Sequence, residues 1–365
     1  VKSSAASDVY KRQVYLSASR IKTAQQCSWT YWCKYILKLP DRSNDGASKG
    51  WICHLIFELL GEPKRIDYYN KIVKEGTVWN IESIKRLIKY HAKKLCVIDQ
   101  ENMEDIDKMI VCGLRYDFFG EEGGSIEESF SEKDFALKVD EEGKRYNIRG
   151  FIDKLFLYKD KSAIIRDFKT SKQKFKGKEI DDNMQDLMYC LAIKKLYPEY
   201  KSISEFLFLK FALEKDIFGN PGNGVIKMSE LSDDVLEGFE YELSGVQNYL
   251  ENFSEENAKS NFASDQGYPK DGTFGGPLAC GKDGFKICKG KPMLDKNGEP
   301  IKAFICAFRK PFEYFALIDQ DGNVKKSVYN EDEHELLSVK KEGDTIEKRE
   351  YSGCPAWNAS SSFEL

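Results

Sequence analysis

The sequence predicts an α/β protein, in which a mixed sheet flanked by helices is preceded by a helical region and followed by a cysteine-bearing extension. Three observations carry this. From Val14 to about Phe119, apolar residues recur at helical spacing. Between Phe135 and Leu213, three strand-like segments, one amphipathic helix and a fourth strand follow in that order. Beyond about Ala263, glycines, turns and cysteines concentrate. The expected divisions are a leader at 1–13, a helical region at 14–125, a core at 126–225, and a helix plus cysteine-rich extension at 226–365.

The leader "VKSSAASDVYKRQ" lacks an initiator Met and any periodicity, and it resembles translated adaptor sequence. We exclude it and begin at Val14. "SASRIKTAQQCSWTYWCKYIL" opens a helix with Ser17 or Ser19 as N-cap. "SNDGASKG" (43–50) reads as a loop, and "WICHLIFELL" as a buried helix. "NIESIKRLIKYHAKKLCVI" is amphipathic. After "GEEGGS", the segments "FALKV", "YNIRGFIDKLFLY" and "SAIIRDFKT" read as an antiparallel meander. "DDNMQDLMYCLAIKKLY" is a helix with Asp181 or Asp182 near its start, and "SEFLFLKFAL" is a further strand. "LSDDVLEGFEYELSGVQNYLENF" is another helix, and "YFALIDQDGNVKKSVY" carries a hairpin signal. The runs "EEGGSIEE" and "NEDEHE" read as solvated loops.

Of the 365 residues, 41% are hydrophobic, enough for a sizeable core. The net charge of -4 excludes a globally basic nucleic-acid coat but not a local basic groove. No apolar run approaches the roughly 20 residues of a membrane span, so a cytoplasmic protein is expected, bacterial or phage-encoded. Ten cysteines with no secretory signal before them favour free thiols and a metal site over a disulfide framework.

Charge in the meander needs a reason. Side chains alternate along a strand, so Asp167 and Lys169 share one face while Phe168 points to the other. The turn before "SAIIRDFKT" lays the preceding strand alongside and brings Asp153 toward Asp167. Two close carboxylates repel and are costly to desolvate. A divalent cation such as Mg²⁺ or Mn²⁺ resolves this, and can polarise a phosphoryl oxygen and supply a nucleophilic water. Lys169 could orient that water or stabilise developing charge. The chemistry that fits is phosphodiester hydrolysis; the competing reading is an ordinary surface pair.

Gly150-x-x-Asp153, then Asp167-Phe168-Lys169, then Gln185-x-x-x-Tyr189 resembles the PD-(D/E)xK nuclease superfamily, and within it the RecB-like exonuclease group, which includes the AddB nuclease domain and CRISPR-associated RecB-like exonucleases. The resemblance covers roughly 14–213 and implies a restriction-endonuclease-like core. It implies that Asp153, Asp167 and the Phe168 backbone carbonyl ligate the metal, with Lys169 as the catalytic lysine. Gln185 and Tyr189, four apart on one helix face, would position DNA. "GWICHLIFELL" resembles the group's G-x-x-x-H helix and makes His54 a further metal ligand, with Glu58 one turn on. His91 and His334 read as surface residues.

Cys27 falls at the cysteine of the group's opening segment, with Ser28 in place of the usual proline. In iron–sulfur members that cysteine joins three from the tail to hold [4Fe–4S]. Here Cys280, Cys288, Cys306 and Cys354 are more widely spaced than in that pattern. Three readings stay open: Cys27 with three tail cysteines around [4Fe–4S], the four tail cysteines around Zn²⁺, or buried thiols without metal. Cys33, Cys53, Cys96, Cys112 and Cys190 read as packing residues.

The expected substrate is DNA, as a single strand or duplex ends. Lysines of "KTSKQKFKGK" (169–178) would meet its backbone, and Trp29, Tyr31, Trp32 and Trp51 either stack on bases or lie in the core. No G-x-x-x-x-G-K-(S/T) loop is present, so a helicase or recombination protein would be a separate chain. The role expected is DNA repair, recombination or phage DNA processing. Two rival readings are a catalytically silent DNA-binding subunit and a sequence-specific endonuclease with an incidental His54.

Overall fold

The computed structural model describes residues 14–41, 45–215, 219–220, 222–267, 280, 287–288, 291–292, 306–329 and 334–357. The leader lies outside them. The chain forms two compact units. One comprises Tyr15–Ser17 and Ser43–Gln247; the other comprises Ala18–Arg42 and Asn248–Leu365, with Val1–Val14. Helices α1 (Ala18–Gln26) and α2 (Ser28–Tyr31), the latter continued by a π-helical turn at Trp32–Ile36, belong to the second of these.

In the larger unit, α3 (Asp45–Leu60), α4 (Ile66–Glu75), α5 (Glu82–Lys94) and α6 (Gln100–Arg115) form the helical layer. The expected loop at 43–50 is shorter than read, because α3 already starts at Asp45. An acidic residue in the first turn complements the positive end of the helix. Gly50 is small for a reason: a Cβ there would come within 2.8 Å of Thr170 Oγ1. Ile52, Ile56 and Phe57 of α3 pack with Ile88, Ile106 and Met109, and with Phe168 and Leu207 from the sheet. Among the described residues, no helix is long and apolar enough to cross a membrane.

The sheet has five strands in spatial order β1 (Ile126–Glu141), β2 (Lys144–Tyr158), β3 (Ser162–Lys169), β4 (Lys201–Phe208) and β5 (Val225–Lys227). β1, β2 and β3 form the antiparallel meander, whereas β3 and β4 run parallel. A parallel pair needs a crossover, and a short turn α7 (Lys178–Asp181) followed by α8 (Met184–Leu196) supplies it. Asn183, not either aspartate, caps α8, accepting from the backbone N–H groups of Gln185 and Asp186. Helix α9 (Asp233–Glu251) follows β5. Strand β1 begins nine residues before "FALKV", so part of the acidic run read as loop is strand.

Arg166 anchors the centre of β3. It donates to Glu205 of β4 at 2.8 Å and to Asp117 at 3.3 Å. Its neighbour across the ladder, Lys154, is 3% exposed and rests 3.9 Å from the Phe118 ring centroid, with no carboxylate in ion-pairing reach among the described residues. Burial, then the Arg166 charge, brings its pKa down to about 7 from 10.5. Between these values the unfolded chain binds a proton that the folded chain does not, so stability rises with pH across that window. The full penalty is present below about pH 7. Lys154→Met is therefore expected to stabilise the fold at pH 6 by on the order of 3 kcal/mol, with the gain shrinking toward pH 10; urea unfolding at both pH values checks it.

In the smaller unit, α10 (Glu255–Ala258) precedes a two-stranded pair, β6 (Ile287–Cys288) and β7 (Lys291–Pro292). β8 (Phe312–Ile318), β9 (Val324–Val328) and β10 (Thr345–Tyr351) form an antiparallel sheet in spatial order β10-β8-β9. The expected hairpin is β8–β9, turning at Gly322 with φ of 81°. Trp29 and Tyr31 are core residues here: Trp29 Nε1 donates to Tyr351 Oη at 2.7 Å, and Tyr351 donates to the Phe308 carbonyl at 2.8 Å. Of the five packing cysteines, Cys33, Cys53 and Cys190 are buried and Cys112 is half-buried. Cys96 is exposed, at a left-handed position (φ 56°) just after α5.

Candidate active site

The β2–β3 ladder ends at Lys154 and Arg166. Past that pair the strands are joined by a side chain instead, with Asp153 Oδ2 accepting the Phe168 backbone N–H at 2.7 Å. Asp153, Asp167 and Lys169 sit at this fork. Asp167 is held from α8: Gln185 Nε2 donates to its Oδ1 at 2.6 Å, and Tyr189 Oη lies 3.1 Å from the same oxygen. That hydroxyl is also 2.9 Å from the Phe151 carbonyl, and it accepts from Gln185. Burial, then the two carboxylates, raises the Tyr189 pKa, so the phenol remains a donor.

Lys169 Nζ donates to Gln185 Oε1 at 2.6 Å and lies 2.6 Å from Asp167 Oδ2. That oxygen is buried and receives no well-aligned hydrogen bond. The contact is thus a close ion pair that leaves a lone pair of Asp167 unused. Burial and the Asp167 charge push the Asp153 pKa up to about 6, against the pull of His54.

His54 enters from α3. Its Nδ1 is 3.3 Å from Asp153 Oδ1 and 3.4 Å from Glu132 Oε1, and its ring meets Phe168 edge-on. Burial disfavours the imidazolium, but Asp153, and the hydrogen bonds of Asp153 and Glu132, outweigh it and push the pKa up to about 11. One ligand atom each from His54, Glu132 and Asp153 lies within 4.8 Å of the others. A carboxylate whose proton affinity its acidic neighbour raises, a third carboxylate beside an imidazole, and a buried oxygen of Asp167 without a well-aligned hydrogen bond form a donor set suited to a hard divalent cation.

The sequence reading missed Glu132. The β1–β2 register pairs Ser131 with Lys154 and Lys133 with Ile152, which sets Glu132 opposite Asp153, at φ of 49°. Counting back from the turn at Glu142–Gly143 would have found it had β1 been drawn to its full length. Glu58 is exposed and makes no part of this group. His91 is partly covered by Trp51, and the His334 side chain lies outside the described ones. In the lysine-rich loop, Lys172 and Lys176 are exposed, Lys174 donates to the Asn223 carbonyl, and Phe175 packs on Phe206 and Phe208.

The smaller unit holds a second donor set. Cys27, Cys280, Cys306 and Cys354 line one cavity, together with Trp29, Thr30, Arg309 and Trp357. Burial pushes the Cys306 thiol up to about 11, with Cys27 and Cys354 adding to the rise. Burial also raises Cys354, with Cys27 and Cys280 contributing. Neighbouring cysteines thus oppose ionisation of Cys306 and Cys354, an effect that a cationic centre would reverse. Cys288 lies in β6 and its side chain is outside the described ones.

This arrangement agrees with what comparison finds. A model of the PD-(D/E)XK nuclease superfamily matches residues 15–260, more than half of the chain. The chain belongs to that superfamily, whose members are divalent-metal-dependent nucleases, and the five-stranded mixed sheet between helical layers is a restriction-endonuclease-like core. DNA is the substrate this membership implies. Among solved structures, one described as "Crystal structure of SSO0001" is similar at 15% identity and a TM-score of 0.25, over 48% of this chain and 71% of that one. No curated protein matches.

Proposed function

We propose that this chain is a RecB-like exonuclease that hydrolyses DNA phosphodiesters, with Mg²⁺ or Mn²⁺ held by His54, Asp153, Asp167 and the Phe168 carbonyl, and with Glu132 beside them. The observation that carries it is the convergence of Asp153, Asp167 and Lys169 at the strand fork, with His54 facing them from α3. When bound, the cation supplies a polarised phosphoryl oxygen and an ionised water. The chain's own residues do the rest. Gln185 and Tyr189 fix the Asp167 carboxylate by donating to Oδ1, so that Oδ2, beside the Lys169 ammonium, is the oxygen that would face the cation. Gln185 also holds the Lys169 ammonium through Oε1, so one amide sets the carboxylate and the cation together. Lys169 places a positive charge where negative charge grows on the phosphoryl group, and can pass a proton at Nζ.

The cavity in the smaller unit supports the first cysteine reading over zinc held by the tail alone, because Cys27 supplies one wall. Four thiolates suit [4Fe–4S], which would staple α2 to the tail of the chain. Any strand separation would come from a partner helicase, in repair, recombination or phage DNA processing.

The test is degradation of end-labelled linear DNA against circular single-stranded DNA in Mg²⁺ or Mn²⁺, with EDTA as control. Loss of the linear substrate alone supports an exonuclease. Cleavage of circles moves the reading to an endonuclease, and no cleavage in either metal ends it. Gln185→Leu is expected to lower kcat by about 10- to 100-fold, the usual effect of removing a group that orients a ligand, while leaving the unfolding midpoint little changed; steady-state kinetics on the linear DNA and a thermal melt check this.

A further inference from the structure

Two large apolar rings stand exposed on two of the elements that supply the ligands of the fork, Phe151 on β2 and Trp51 on α3. Phe151 is 61% exposed. Alternation along β2 puts it on the face of Asp153, about 7 Å away along the strand, and its carbonyl is tied to the Tyr189 hydroxyl that also meets Asp167. On the opposite face of the same strand Ile148 and Ile152 are buried, so the exposure belongs to this face and not to a frayed strand. Trp51 is 49% exposed. It lies three residues before His54 on α3, hence on the same side of the helix, and its ring is braced by His91 at 4.7 Å between centroids. Arg149, two residues before Phe151, is also exposed, with its guanidinium over Tyr15 at 5.6 Å. Along one strand face the order is therefore cation, aromatic ring, carboxylate.

Neither ring contributes to the core; Phe151 is tied at its backbone carbonyl, and the Trp51 ring meets His91. An apolar ring in water beside a phosphodiester-cutting centre gains by stacking on a nucleobase, and only an unpaired base offers its flat face. We propose that Phe151 and Trp51 stack on unpaired bases on the two sides of the scissile bond, with Arg149 meeting a backbone phosphate, so that the site selects single-stranded DNA. This rests on the nuclease reading for the position of the scissile bond. Phe151 and Trp51 act as positioning residues and carry no proton or charge in the reaction.

The test is binding, separate from cleavage. A fluorescent oligothymidylate, the same strand with abasic sites, and a blunt duplex of equal length are titrated by anisotropy in Ca²⁺. The wild type is expected to prefer oligothymidylate over both other probes. Phe151→Ala and Trp51→Ala should each weaken it roughly 5- to 100-fold, the range of one lost base stack, while binding to the abasic strand stays unchanged. Phe151→Tyr, which keeps a ring, should restore affinity. Both positions are exposed, and a thermal melt confirms that the variants fold. Equal binding of the thymidylate and abasic strands, Ala variants that bind as the wild type does, or a wild-type preference for duplex would each overturn the proposal. If the base-dependent binding is seen but no DNA is cut in Mg²⁺ or Mn²⁺, the stacking surface stands and the hydrolytic reading falls.

Discussion

Lys169→Met is expected to cut the rate of DNA hydrolysis by about a thousand-fold or more while leaving binding of oligothymidylate in Ca²⁺ near that of the wild type. Methionine keeps the length and the packing over Phe206, on which the ammonium lies at 5.3 Å, and removes only the charge and the proton. A general acid–base group contributes about 10²–10⁴, and a charge aimed at the transition state about 10²–10³; Lys169 is placed to do both. Asp167→Asn should fall at least as far, because its buried Oδ2 is the atom that a cation would take. Single-turnover cleavage with saturating enzyme separates this from a binding defect. A Lys169→Met enzyme within ten-fold of wild type would remove the lysine from the chemistry, and retained activity in Asp167→Asn would remove the ligand assignment as well.

The second large effect concerns sulfur. Cys27→Ser and Cys306→Ser are each expected to abolish the visible absorbance of anaerobically purified protein and to destabilise the smaller unit, since a bound metal centre contributes directly to folding. Cys96→Ser, at an exposed site away from the cavity, should keep both colour and stability. The local reason is that the four cysteines line one cavity but come from opposite ends of the chain, so a bound centre would tie the start of α2 to the tail. A colourless wild-type protein with one zinc per chain would select the zinc reading. A protein with neither metal would assign the four cysteines to packing alone.

Much of this was legible in the chain. Strand alternation alone placed Asp167 and Lys169 together, and a four-residue spacing placed Gln185 and Tyr189 on one face of α8. The meander followed from its turns. What sequence could not supply was the outcome of competition between local and long-range terms. Glu132 lies in the stretch between the acidic run at 121–128, which reads as solvated loop, and "FALKV", which reads as strand; it becomes strand because β1 pairs with β2 over nearly its whole length. Trp29 and Trp51 look alike as exposed-or-core aromatics. One is buried against Tyr351, more than 300 positions away, and the other is left in solvent, so only tertiary contacts tell them apart. The same holds for the cysteines. Cys27 and Cys354 are remote in the chain, and their shared cavity depends on how the smaller unit closes. Asn183 was missed as the cap of α8 because Asp181 and Asp182, equally good cap residues, precede it.

The central claim is that one divalent cation sits at the strand fork. Anomalous diffraction from a crystal soaked in Mn²⁺ tests it most directly. A peak is expected within coordination distance of the Asp153 and Asp167 carboxylates and the Phe168 carbonyl, with His54 or Glu132 completing the shell, and it should be lost in Asp167→Asn. No peak at the fork in the wild type, or one unchanged when Asp167 is replaced, would contradict it.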